Sequence, residues 1–304
     1  MIFKSLLQGD ISAPLTMDPR QSFRAVSRKL GIDEMTIRNR LQKFHKTGFL
    51  KGWRLLVSPA LLGVNMVQLL VEVRSSSKED LIEKVRLLPG MAAIIGHVGS
   101  SMYVIFACPD KGSLEKQIAH IEQLAGAKSP ACLSVRFPNC NLRLSHTDAE
   151  IIRALTSDPR KMYSAVAKEV GVSSRTVKRR MGRIIRGKAV FMIPSMDPSA
   201  LEGAMVVDLL VRYSAGEGTS AVKERILSEL DDCLIRAEMG DPDYGLFNLI
   251  VTRVSAVREI PKRVRSIEGV AFVRIDIVQD RLEMYDKFFE QFERGQRPSP
   301  GHLQ

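Results

Sequence analysis

The sequence predicts an α+β protein built from two repeats, each a (winged) helix-turn-helix domain followed by a ferredoxin-like βαββαβ domain. Three observations lead there. The chain matches itself at a shift of 140 residues, each copy opens on two short amphipathic helices joined at a glycine, and each continues with strand, helix, two strands, helix and strand. At 304 residues the chain is too long for one ordinary domain and suits two to four.

In the first copy Phe23, Val26 and Leu30 recur at helical spacing, and Gly31 supplies the left-handed residue that ends a helix. Asp33 stands where an N-cap belongs, before a second stripe of Ile37, Leu41 and Phe44. The second copy repeats each feature in Tyr163, Val166 and Val170, then Gly171, Ser173 as cap, and Val177, Met181 and Ile184. Between the copies Asp18/Asp158, Pro19/Pro159, Arg20/Arg160, Ala25/Ala165, Thr36/Thr176 and Arg40/Arg180 are identical. The helix preceding this pair is clean in the second copy, in the run from Asp148, but Gly9 and Pro14 interrupt its counterpart.

An extended turn region leads into the second part of each copy. Strands are expected over 66–73 and 205–213, helices over 78–88 and 219–230, and paired strands over 91–97 with 102–108 and 233–238 with 244–252. A second helix over 113–124 or 256–266 and a last strand over 131–137 or 271–278 complete the order βαββαβ. Its sheet has one face without helices, and sheet-to-sheet pairing of two such domains, within one chain or between chains, would cover it. Domain boundaries fall at 1–58 and 144–198 for the helix-turn-helix domains and at 63–138 and 203–279 for the βαββαβ domains. Leu282, Tyr285, Phe288, Phe289 and Phe292 at helical spacing predict a C-terminal helix over 280–294, and the Pro- and Gly-rich residues 295–304 predict a disordered tail.

Charge points to a partner. The net formal charge is +11, yet residues 20–54 carry +8 and residues 160–188 carry +9, so the remainder is negative. Positive charge confined to the two helix pairs is the electrostatic footprint of double-stranded DNA. The helical stripes leave Glu34, Met35, Arg38, Asn39 and Gln42 outward on one second helix, and Ser174, Arg175, Lys178, Arg179 and Gly182 on the other. Met35, Thr36, Arg38, Asn39, Gln42, Ser174, Arg175, Thr176, Lys178 and Arg179 are therefore the expected DNA-binding residues. Thr36, Thr176, Arg40 and Arg180, shared by both copies, are structural or phosphate contacts, and Arg40 could equally pair with an acid of its own domain.

These features resemble the Lrp/AsnC, or feast/famine, transcription regulators. Beside the DPR and TVKRR segments, the family's hairpin wording is visible as TGFLKGWRLLVSPALLG from Thr47, and is eroded in the second copy, where Met192 replaces the second glycine. The resemblance implies that the βαββαβ part, a RAM-type regulatory domain, mediates self-association and senses an amino-acid-like effector in a loop between its middle strands. Gly240, Asp241, Asp243 and Tyr244 of the GDPDYG segment look like that loop, with Gly99 as the first copy's remnant. A plain β-turn is the competing reading of both segments.

Other chemistry lacks sequence support. The four cysteines form no CxxC pair, and no two of the five histidines have helical metal-ligand spacing. Residues 182–189 resemble a phosphate loop but carry Ala189 in place of its hydroxyl, and the GEGTSA segment at 216–221 lacks a counterpart in the first copy. No cofactor, structural metal or catalytic residue is expected, and the chain reads as a cytoplasmic DNA-binding regulator rather than an enzyme. Two alternatives accompany that reading: a siroheme decarboxylase-like enzyme, whose architecture resembles this family's, and a non-specific architectural DNA binder. No membrane span or cleavable leader is visible.

Overall fold

The computed structural model describes residues 22–75, 77–135, 137–140, 142–156, 158–200, 202–214, 219–238 and 241–285. The architecture is mixed α+β. A helix pair, α1 (Phe23–Leu30) and α2 (Glu34–Lys46), leads into β1 (Leu50–Val57) and the single turn α3 (Pro59–Leu62). Next come β2 (Asn65–Glu72), α4 (Lys78–Val85), β3 (Met91–His97), β4 (Ser101–Cys108), α5 (Lys111–Ala125) and β5 (Ala131–Val135). Three helices follow, α6 (His146–Thr156), α7 (Tyr163–Val170) and α8 (Ser174–Arg186), then β6 (Val190–Met196) and a 3-10 turn over Pro198–Ala200. The chain continues through β7 (Met205–Tyr213), α9 (Thr219–Leu230), β8 (Leu234–Glu238), β9 (Tyr244–Val251), α10 (Ala256–Arg265) and β10 (Val270–Glu283).

Among the described residues eight strands form one sheet in the order β5-β2-β4-β3-β10-β7-β9-β8. Each half has its first strand between its third and fourth, the ferredoxin-like order, and all pairs are antiparallel. The halves join where the long β10 changes partner: residues 270–277 pair with β7, and Val278 to Glu283 pair with β3. Gly96 faces Asp280 in that register, and a Cβ there would lie 2.2 Å from the Asp280 Oδ1 atom, so glycine leaves room for the Asp280 carboxylate to lie over β3.

Alternation of side chains across the sheet separates three cores. Leu69, Val71, Phe106 and Ile121 pack beneath α4 and α5, and Leu209, Phe247, Ile226 and Val264 beneath α9 and α10. On the opposite face Leu70, Ile95, Tyr103 and Leu133 of the first half share one cluster with Leu210, Leu246 and Val278 of the second. The helix-free faces therefore cover one another within a single chain.

A polar network crosses this junction. His97, fully buried, places Nδ1 3.0 Å from Ser101 Oγ and Nε2 3.3 Å from Asp208 Oδ2. The Ser101 hydroxyl donates to Asp276, Asn248 donates to Asp208 at 2.6 Å, and Arg274 binds both Asp276 and Glu72. Buried polar groups at an interface are tolerated when they satisfy one another in this way.

Two expectations are corrected. The region after the first helix pair, read as an extended turn with hairpin wording, is the strand β1, and it pairs antiparallel with β6 about 140 residues away. Alternation within either segment could not reveal so distant a partner. The helix expected from Asp280 does not begin there, because Asp280 to Glu283 extend β10, where β3 offers their backbone a ladder. Tyr285 is helical; the expected helix from residue 286 on, the tail, Gly240 and the helix expected before α1 lie outside the described residues.

Candidate nucleic-acid interface

Local chemistry sets the second helix pair. Gly171 ends α7 in the left-handed conformation, φ 71°, and Ser173 Oγ caps α8 by accepting from the Thr176 N–H at 3.1 Å. Val177, Met181 and Ile184 are fully buried against Ile151, Leu155 and Val166 of α6 and α7. That anchoring turns Ser174, Arg175, Lys178 and Arg179 to solvent. With Ser173, Thr176, Gly182 and Arg186, the three basic residues line an open cleft of about 660 Å³. Thr176 is engaged by its cap, its hydroxyl 2.9 Å from Ser173 Oγ.

One carboxylate organises the rear of this helix. Asp148 is fully buried and accepts from the Ser145 N–H and hydroxyl, each at 2.8 Å, from Arg180 at 3.0 Å and from Arg183. Burial alone would raise its carboxyl, but the hydrogen bonds from Ser145, Arg180 and Arg183 outweigh that cost and hold it at about 2. Arg180 is thereby a structural residue, one of the two roles expected of it. Beside it, Arg143, Ser145, Arg179, Arg180, Arg183 and Arg186 enclose a second open concavity of about 440 Å³. Sequence reasoning missed Arg143, Arg183 and Arg186 as a group, because Arg143 comes from the linker and meets α8 only in the folded chain.

The first helix pair is built alike but presents a different surface. Gly31 ends α1 at φ 64°, Asp33 caps α2 through the Thr36 N–H at 3.0 Å, and Val26 and Ile37 pack on Trp53. Met35, Arg38, Asn39 and Gln42 are exposed. Arg38 pairs with Glu34 at 3.4 Å, and its guanidinium sits 4.9 Å from the Phe23 ring centre. Arg160 of the second pair approaches the same ring, 5.9 Å away, so the two pairs are neighbours.

The expected effector residues separate. Asp241 is buried, its Oδ1 accepting from the N–H groups of Asp243 and Tyr244 at 2.9 and 3.1 Å. Its Oδ2 accepts from the Ser134 N–H on β5 at 2.9 Å. These three bonds tie the turn to β5, so Asp241 staples the two halves together. Asp243 is exposed, Tyr244 half-buried, and Gly99 sits in an exposed turn at φ 95°. Among the described residues no His, Cys, Asp and Glu side chains cluster as a metal site, and no helix is long and apolar enough to cross a membrane.

Helices α6 to α8 form a three-helix unit with a basic outward helix, the class of DNA-binding helix-turn-helix domains. Residues 144–184 match the family model of the AsnC-type helix-turn-helix domain. The HTH-type transcriptional regulator Ptr1 of Methanocaldococcus jannaschii is 31% identical over 107 residues, covering 34% of this chain and 72% of the relative. LrpA of Pyrococcus horikoshii is 29% identical over 73 residues, 24% of this chain and about half (52%) of its own length. The chain belongs to the Lrp/AsnC family.

A solved structure of the siroheme decarboxylase NirDL, in co-complex with an iron-uroporphyrin III analogue, shares the fold over 97% of this chain and 98% of its own, with a TM-score of 0.54 and 13% identity. This corrects the sequence-based exclusion of enzyme function. The whole-chain architecture is one that an enzyme also uses, so missing catalytic motifs do not rule catalysis out.

Proposed function

We propose that the chain is a sequence-specific, DNA-binding transcription regulator of Lrp/AsnC type carrying two fused, unequal copies of the family's unit. In this reading α1–α2 and α7–α8 are two helix-turn-helix heads of domains 1–58 and 144–198. The βαββαβ domains at 63–138 and 203–279 form a pseudo-dimer within the chain, and the protein works in the cytoplasm. The observation that carries the reading is the outward face of α8, where Arg175, Lys178 and Arg179 have no acidic partner among the described residues.

An Arg side chain there can grip guanine in the major groove and Lys a phosphate, whereas Asn39 on α2 suits adenine. The heads would thus read unlike half-sites. An amino-acid-like effector would be held at the turn of Asp241, Asp243 and Tyr244, with the exposed Asp243 carboxylate toward its ammonium group.

Selection from a random duplex library with the full chain, then titration across a salt series, tests the proposal. A bipartite winner bound ~10³-fold tighter than scrambled duplex, with log affinity falling against log salt at a slope of about −7 to −9, is expected. Steep salt dependence without enrichment would instead define a non-specific architectural binder. Catalysis is a second reading, favoured by the whole-length fold likeness to NirDL, and a siroheme absorbance change on mixing would support it.

A further inference from the structure

The concavity behind α8 holds five arginines, Arg143, Arg179, Arg180, Arg183 and Arg186, together with Ser145. The carboxylate paired with them is Asp148, which lies fully buried behind and takes up Arg180 and Arg183. Guanidinium groups crowded round an open space repel one another unless an anion sits between them, and the guanidinium fork matches phosphate oxygens. The linker is held in place for this: its Arg143 carbonyl accepts from Arg183 at 3.5 Å, and Leu142 packs against Gly187. The Arg143 side chain itself is exposed.

We propose that Arg143, Arg179 and Arg186 seat a DNA backbone phosphate, with Arg183 and Arg180 held behind them by Asp148, a site separate from the base-reading face of α8 and present in the second head only. It rests on the DNA-binding reading above. Arg179 and Arg186 line both this concavity and the cleft along Arg175 and Lys178, so one strand can run from the helix's outward face to the linker. Arg143 lies one residue outside the span 144–184 matched to the family domain. At the 140-residue shift, Phe3 stands for Arg143, Asn39 for Arg179, and Lys46 for Arg186. Two of the three cations are missing from the first head. The second head is therefore the electrostatic anchor of the pair and the first its weaker companion.

The test compares full-length protein with Arg143→Gln, Arg186→Gln and the double variant on the selected duplex and on scrambled duplex. Each single change is expected to weaken both duplexes by a similar factor, roughly fivefold near 0.15 M salt, and to reduce the salt slope by about 1. Arg143→Lys should retain most of the slope, and Asn39→Arg in the first head should increase it. Unaltered affinity and slope in the folded double variant, while wild type binds, would overturn the seat and leave the DNA reading intact. A loss confined to one base position would replace a phosphate contact by base reading and overturn it as well. Competition by millimolar inorganic phosphate at constant ionic strength, as strong in the double variant as in wild type, would place the anion elsewhere; competition abolished by the variants without any change in DNA affinity would make the seat one for free phosphate. Failure of wild type to bind any duplex would sink the DNA reading itself.

Discussion

Asp148→Asn removes the carboxylate on which the second head is assembled while keeping its shape. Holding a carboxyl at about 2 instead of 3.8 corresponds to roughly 2.5 kcal/mol of preference for the ionised form in the folded state. Breaking a buried ion pair commonly costs ~3–5 kcal/mol, but Arg180 and Arg183 are 25% and 42% exposed and can regain water. A loss of about 2–3 kcal/mol at neutral pH follows, near 1 M in urea midpoint for a slope of about 2 kcal/mol/M. The sign of the pH dependence is fixed, because the folded carboxyl titrates below the unfolded one. Its stabilisation is complete above the unfolded value of 3.8 and is lost as pH falls from there through about 2. Urea denaturation followed by far-UV circular dichroism between pH 2 and pH 7 should show wild type and variant converging in acid. A variant within about 0.5 kcal/mol of wild type at pH 7, a difference typical of plain surface changes, would refute the reasoning. A gap that persists undiminished at pH 2 would do the same.

Gly245→Ala would put a Cβ 2.0 Å from the Tyr213 hydroxyl and 3.0 Å from its Cζ. Because that ring is buried, thermal melts should report a loss of about 2 kcal/mol, part of it recovered by adding Tyr213→Phe. Arg274→Met leaves Glu72 and Asp276 facing each other across the junction of the two halves. It should cost about 1–3 kcal/mol and accelerate amide exchange at Val278 and Gly96, where unchanged exchange would count against the network's role. Arg179→Ala, which strips a cation from both the cleft and the concavity, should cost ~1–3 kcal/mol of duplex affinity by fluorescence anisotropy, and an unchanged affinity would remove Arg179 from the interface.

Much of the fold was legible because local physics wrote it. Gly31 and Gly171 ended their helices, Asp33 and Ser173 capped the next ones, and stripes such as Val177, Met181 and Ile184 turned the basic residues outward. Long-range pairing left no such mark. Nothing within Leu50–Val57 announces β6 as its partner, and the helical spacing that starts at Leu282 masked a strand that exists because β3 lies beside it. The candidate interface was half legible for the same reason. Arg175, Lys178 and Arg179 lie on one helix and share a period, whereas Arg143 joins Arg183 and Arg186 only after the linker folds across α8. Asp241 shows the same limit: nothing in its turn announces the N–H of Ser134, more than a hundred residues away, from which its carboxylate accepts across the two halves.

The most direct test of two unequal DNA-reading heads is equilibrium binding of the full chain to the selected duplex and to two versions with one or the other half-site scrambled. The account predicts dissociation constants of ~10⁻⁸ M or tighter for the intact site, weaker binding to both half-scrambled duplexes, and the smaller loss where the second head's half-site is kept. Equal affinity for all three duplexes, or no duplex binding together with a siroheme absorbance change, would contradict it.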